Sequence, residues 1–165
     1  MKLTELFKNS QKVAAYSDIL SLCEVTSVNL NKSTRKAEVY LSSDVIVPKS
    51  VILDISSDIK KEYNLNVLKL FTKYPSELFS IDYFSEILYM LEKKQPLTYS
   101  IVKDSTAELS DGVLSVYLKA NGKDILYTHD IDKFIEGILR DEFSLSVTVN
   151  FIPAEISSEQ REKEK

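Results

Sequence analysis

Residues 39–71, VYLSSDVIVPKSVILDISSDIKKEYNLNVLKLF, change period twice: an alternating run, then apolar positions three and four apart, then alternation again. That order spells strand, helix and returning strand. Residues 116–151, VYLKANGKDILYTHDIDKFIEGILRDEFSLSVTVNF, repeat it with the same opening VYL and the same closing Phe. The chain therefore reads as α+β, two small mixed α/β domains. The limits expected are 1–75 for an N-terminal α/β domain, 76–153 for a second α/β domain and 154–165 for a charged helical connector. Halves of this size are marginal for a single core, so each is expected to pack on the other or on a further partner.

A formal net charge of −4 argues against a protein whose main work is gripping phosphates, since that needs clustered Lys and Arg. Cys23 is the single cysteine of the sequence, which excludes an intrachain disulfide and every paired-cysteine metal motif and fits a reducing cytoplasm. The opening MKLTELFKNSQ lacks a signal-type apolar core, and no apolar run reaches membrane-spanning length. The expectation is a soluble cytoplasmic protein.

Leu3, Leu6 and Phe7 suggest a short helix. Val13, Tyr16, Ile19, Leu20 and Cys23 suggest a longer one with Cys23 as a small buried residue at its end. Residues 24–31 and 36–42 alternate as two strands with a turn at 32–35. Pro48 fits the first turn of a helix whose face is Val51, Ile52, Ile55, Ile59 and Tyr63. Asn64 stops it, and a strand through Leu65, Val67, Leu68, Leu70 and Phe71 follows. The segment TKYPSE at 72–77 marks a boundary.

Ser80 is placed to cap a helix with the face Ile81, Phe84, Ile87, Leu88 and Leu91, which Pro96 ends. Residues 97–102 and 112–119 alternate like strands, with 103–111 as a connection and Asp111-Gly112 as a turn. The ANGKD stretch at 120–124 is a turn and matches no phosphate-loop pattern. Thr128 or Asp130 caps the last helix, which buries Ile131, Phe134, Ile135, Ile138 and Leu139. Gly137 within it is expected at a close contact. Leu145, Val147, Val149 and Phe151 form the final strand.

Chemistry is hard to assemble from these residues. His129 is the single histidine, and no serine or cysteine stands in a nucleophile-elbow context. Asp54 and Asp58, four apart, share one side of a helix, but no third ligand joins them, so they read as a solvated acidic face eased by Lys60 and Lys61. No cofactor or metal is expected, and no catalytic residue. Candidate contacts with a partner or a nucleic acid are Lys32, Arg35 and Lys36 at the hairpin tip, and Lys119, Lys123 and Tyr127 near the Gly122 turn.

Three strings carry a family resemblance: VTSVNLNKSTRKAEVYL at 25–41, DYFSEILYMLEKKQPLTYSIV at 82–102 and SVTVNFIPAEISSEQREKEK at 146–165. With the order of elements around them, they resemble the N-terminal region of PolC-type DNA polymerase III alpha subunits, the replicative polymerases of low-GC Gram-positive bacteria. The resemblance implies a first domain similar to the polymerase-binding domain of the clamp-loader tau subunit and a second similar to a type II KH domain. It also implies a full-length DNA-directed DNA polymerase with 3′–5′ exonuclease whose catalytic residues lie in other domains. This chain would then be a non-catalytic interaction module for replisome proteins of the clamp-loader, helicase-loader or primase class. The alternative is a single-stranded nucleic-acid binder acting through the KH-like half. A KH domain approaches the backbone through a GxxG loop; the corresponding stretch, 121–130, holds Gly122 and Lys123 but no second glycine.

Overall fold

A computed structural model describes residues 1–153; the charged connector expected over 154–165 lies outside them. The described residues divide into two compact units, Met1–Ser80 with Asp141–Leu145, and Ile81–Arg140 with residues 146–153. Each contains one three-stranded mixed sheet, and the fold is α+β.

The first unit opens with three short helices, α1 (Leu3–Leu6), α2 (Gln11–Ala15) and α3 (Ser17–Leu20). Ser10 starts α2 by accepting the Val13 amide on its hydroxyl at 3.2 Å, which satisfies a donor the helix cannot. The single longer helix expected here is broken at Tyr16, whose φ of −99° and ψ of 21° leave the helical region. Its hydroxyl donates instead to Asp54 at 2.7 Å, so tertiary pairing overrides the local stripe. Cys23 is not on a helix either: it is the first residue of a strand, and it is fully buried.

That strand, β1 (Cys23–Asn31), runs antiparallel to β2 (Lys36–Ser43), and β3 (Val67–Lys73) returns parallel to β2, giving the order β1-β2-β3. A parallel return needs a crossover, and α4 (Lys49–Glu62) supplies it. Pro48 precedes the helix at its N-cap rather than entering its first turn. Asn64, at a φ of 53°, turns the chain out of it in the left-handed conformation Asn tolerates. Val51, Ile52, Ile55 and Ile59 form the buried face of α4 and join Val39 and Leu41 of β2 in one core. Each such side chain contributes about 1.5–3 kcal/mol by leaving water. Ile55 and Ile59 have no exposed surface, and truncation of either to Ala should cost about 2–5 kcal/mol.

Residues 141–145 complete this unit. Phe143 is buried and stacks on Tyr74 at 5.1 Å, with Phe79 against its edge at 5.3 Å. Lys49 and Glu142 form a part-buried ion pair at 2.7 Å. Segment 72–77, expected as a boundary, begins inside β3 and includes the buried Tyr74.

The second unit contains α5 (Phe84–Lys94), α6 (Pro96–Val102), β4 (Thr106–Ser110), β5 (Val113–Tyr117), α7 (Lys123–Thr128), α8 (Ile131–Phe143) and β6 (Thr148–Ile152). The last residues of α8, from Asp141, belong to the first unit. Strand order is β4-β5-β6, with β4 antiparallel and β6 parallel to β5. Both units therefore share a hairpin, a helical crossover and a parallel return.

Several expectations fail here for local reasons. Residues 97–102 are helix, not strand: Pro96 occupies the first helical turn, where its missing N–H costs nothing. Thr98 and Val102, four apart, are the buried positions that result. Residues 106–110, expected as part of a connection, are β4. Asp111 and Gly112, at φ 51° and 76°, make the two-residue turn that joins it to β5. Ile81 is 39% exposed, in a 3-10 turn ahead of α5, instead of on its buried face. The buried positions of α8 are Ile131, Ile135, Leu139 and Phe143, a strict four-residue stripe that leaves Phe134 and Ile138 half-buried. Gly137 sits at no close contact; a Cβ there would meet only the Arg140 guanidinium, at 3.5 Å.

Candidate interaction surfaces

The cysteine, the histidine and the paired aspartates are dispersed over the described residues. Cys23 is buried, which pushes its thiol up from its ordinary value and away from the reactive thiolate. His129 is the exposed residue that closes α7. Asp54 and Asp58 share a helix side as expected, but they are not a merely solvated face. Asp58 accepts from the Ser10 hydroxyl and from the Lys12 amide, and Asp54 accepts from Tyr16. These bonds, that of Ser10 foremost, hold the Asp58 carboxyl below its usual range. The pair thus fastens α2 and Tyr16 to α4. Among the described residues no group of three or more His, Cys, Asp or Glu side chains is placed to hold a metal ion.

The six candidate contact residues fall in two places. Lys32, Arg35 and Lys36 are all exposed at the β1–β2 turn. Arg35 has a φ of 54°, and its carbonyl accepts the Asn66 amide at 2.7 Å, while Asn66 Nδ2 donates to the Thr34 carbonyl at 2.9 Å. Asn66 therefore holds the turn's backbone and leaves Lys32 and Lys36 projecting. Lys36 also borders a shallow concavity of about 300 Å³ with Asn29, Leu30, Asn31 and Glu38.

In the second unit, the stretch 121–130 is mostly helix α7 rather than a loop. Lys119 and Lys123 are exposed. Tyr127 is a strut: its hydroxyl accepts the Phe151 amide at 3.0 Å and donates to Asn150 at 3.3 Å, and its ring meets Phe151 edge-on at 5.1 Å. Lys123 and Gly122 border a concavity of about 470 Å³ that is also lined by Leu118, Ala120, Ile125 and Pro153. Gly122, at φ 138°, is required there, because a Cβ would come within 2.8 Å of Ile101 on α6. Ile125 is 50% exposed, and Leu97, one helical turn before Ile101, is 87% exposed.

Two features of potential function were not read from the sequence. Exposed Leu97 is one, since strand-favouring residues surround it; the spacings of Leu97 with Ile101 and of Thr98 with Val102 are the signal for the helix. The other is a stacked aromatic pair on the first sheet, Tyr40 with Phe71, 4.9 Å apart. The signal for it was that both residues stand at equivalent steps of strands that turn out to be neighbours.

The described residues form two small α+β units that carry exposed apolar and basic side chains. A family model described as DNA polymerase III polC-type N-terminus II matches residues 82–165, and the chain belongs to that family. The match spans the second sheet and its helices and places the chain in the context of DNA replication. No curated protein and no solved structure matches the chain. Among the described residues no helix is long and apolar enough to cross a membrane.

Proposed function

We propose that this chain is a non-catalytic interaction module of a replicative polymerase, docking protein partners of the clamp-loader, helicase-loader or primase class. The observation that carries the reading is a pair of exposed apolar side chains on adjacent helices of the second unit. Leu97 is 87% exposed and Ile125 50% exposed, on two helices that meet where Ile101 packs over Gly122. Ile125 lines the concavity beside Gly122, and large apolar side chains left in water are what a docked protein would cover. The order helix, strand, strand, helix, helix, strand from α6 to β6 supports the KH-type reading of this unit. The first unit's likeness to the polymerase-binding domain of tau rests on the family resemblance.

The test is retention of purified clamp-loader, helicase-loader and primase proteins by the immobilised chain, with Leu97→Asp and Ile125→Asp as paired variants. Both side chains are exposed enough that the fold should survive. Loss of a retained partner in both variants is the expected result. Retention of none of the three proteins by the unaltered chain removes the reading.

A further inference from the structure

We propose that the outer face of the first sheet is a single-stranded nucleic-acid platform on which bases stack against Tyr40 and Phe71. The cross-strand register places Ser27, Tyr40 and Phe71 in one row, with Asn29, Glu38 and Lys69 in the next and Asn31, Lys36 and Val67 beyond it. These rows face away from α4, because the alternate residues Val39 and Leu41 are the buried ones. The two rings stack with their planes 19° apart, and Phe71 remains 40% exposed. A part-exposed ring stacked on a second aromatic offers a π-face on which a base can stack.

Charge favours a polyanion as the cover. Lys69 and Lys73 lie two residues either side of Phe71, hence on its face of the strand, and Lys36 lies on the same face of β2. All three are exposed. The acidic residues of the face are already engaged: Glu24 pairs with Lys2 at 2.5 Å, and Glu38 accepts from the Tyr40 hydroxyl at 3.2 Å, a bond that also fixes the ring. Lys32 and Arg35 extend the positive edge at the turn. The protein's net negative charge is no obstacle to this mode, since base stacking on an aromatic ring contributes about 1–3 kcal/mol per base and the lysines need only guide the backbone.

The experiment is fluorescence anisotropy of a labelled oligothymidylate of roughly 20 nucleotides with the full chain, at about 20 and 200 mM salt. Phe71→Ala should weaken binding about 5- to 140-fold, and Phe71→Tyr should restore it. Lys69→Gln with Lys73→Gln should lower the slope of log affinity against log salt by about 1.4. Lys119→Gln with Lys123→Gln, in the other unit, should change nothing. Circular dichroism verifies each fold, and the lysine pair carries the test if Phe71→Ala fails to fold. The proposal is overturned by absence of binding at low salt. It is equally overturned by duplex binding as tight as single strand, or by loss of binding through Lys119 and Lys123 alone.

Discussion

Tyr74 connects the first unit's core to alkaline pH in a way that reverses the rank of two proteins. Its side chain is 3% exposed, and burial, the main cause, pushes its phenol up from an ordinary value of 10.0 to about 12. The Val47 amide donates to its oxygen at 3.2 Å, and its hydroxyl reaches the Val47 carbonyl at 3.4 Å. Replacement by Phe keeps the stacking on Phe143 but leaves buried backbone groups of Val47 without this partner. At neutral pH that should cost about 1–2 kcal/mol.

Above pH 10 the balance changes. The unfolded chain ionises this phenol near 10 and the folded chain resists until about 12. The native tyrosine thus keeps its full contribution below pH 10 and loses it as pH rises through the folded value. A two-unit gap corresponds to about 2.7 kcal/mol. Tyr74→Phe has no phenol at this site, so the native protein should be the more stable at pH 7 and the less stable, by about 1 kcal/mol, near pH 12. Urea unfolding followed by far-ultraviolet circular dichroism, at intervals from pH 7 to 12, measures both curves. The other tyrosines titrate in both proteins and cancel in the difference. Stability profiles that stay parallel between pH 10 and 12 would refute the reasoning.

Three further outcomes are expected. Ser10→Ala should destabilise the first unit by about 1 kcal/mol through loss of the α2 cap. It should also move the acid limb of the stability curve to higher pH, because Asp58 loses its main hydrogen bond; the native contribution of Asp58 is present above the ordinary carboxylate range and lost as pH falls through its lowered folded value. Gly112→Ala should cost about 1–2 kcal/mol from its φ of 76° alone, since the space around it is open, with Ser146 O 3.9 Å from a Cβ. Gly122→Ala should cost more, because strain at φ 138° is joined by collision with Ile101, and thermal melts of the two variants rank them.

What could be read from the sequence follows the strength of each local signal. The β1–β2 hairpin and α4 were legible to within a residue or two, since period, turn and stop all agreed there. The α2–α3 break was not, because the residue that decides it, Tyr16, is recruited by Asp54, 38 residues away. The helix α6 is hard to read because Thr98, Tyr99, Ile101 and Val102 favour strands by type, against which stand Pro96 at the first turn and the four-residue spacings of Leu97 with Ile101 and Thr98 with Val102. For the candidate surfaces, the lysines were visible but not their company. Tyr127 looked like an open aromatic and is tied to Phe151 and Asn150, whereas Tyr40 and Phe71 looked like ordinary strand residues and form the exposed stack.

The common plan of the two units makes their differences informative. Each sheet has a hairpin, a crossover and a parallel return, so each has one face against its helices and one outer face of alternate residues. On the second sheet that outer face is Thr106, Glu108 and Ser110, Val113, Ser115 and Tyr117, then Thr148, Asn150 and Ile152. It holds no Lys or Arg, and its single aromatic ring has its hydroxyl directed to Glu108 at 3.4 Å. The first sheet, in the same architecture, places Lys36, Lys69 and Lys73 around two stacked rings. Architecture alone therefore does not produce the basic aromatic face, and the second sheet is a built-in control for the first. If the two units divide their work, apolar docking belongs to Leu97 and Ile125 and strand contact to Tyr40 and Phe71. Phe71→Ala should then leave protein partners retained while releasing the oligonucleotide, and Leu97→Asp should do the reverse; a variant that abolishes both would show one shared surface instead of two.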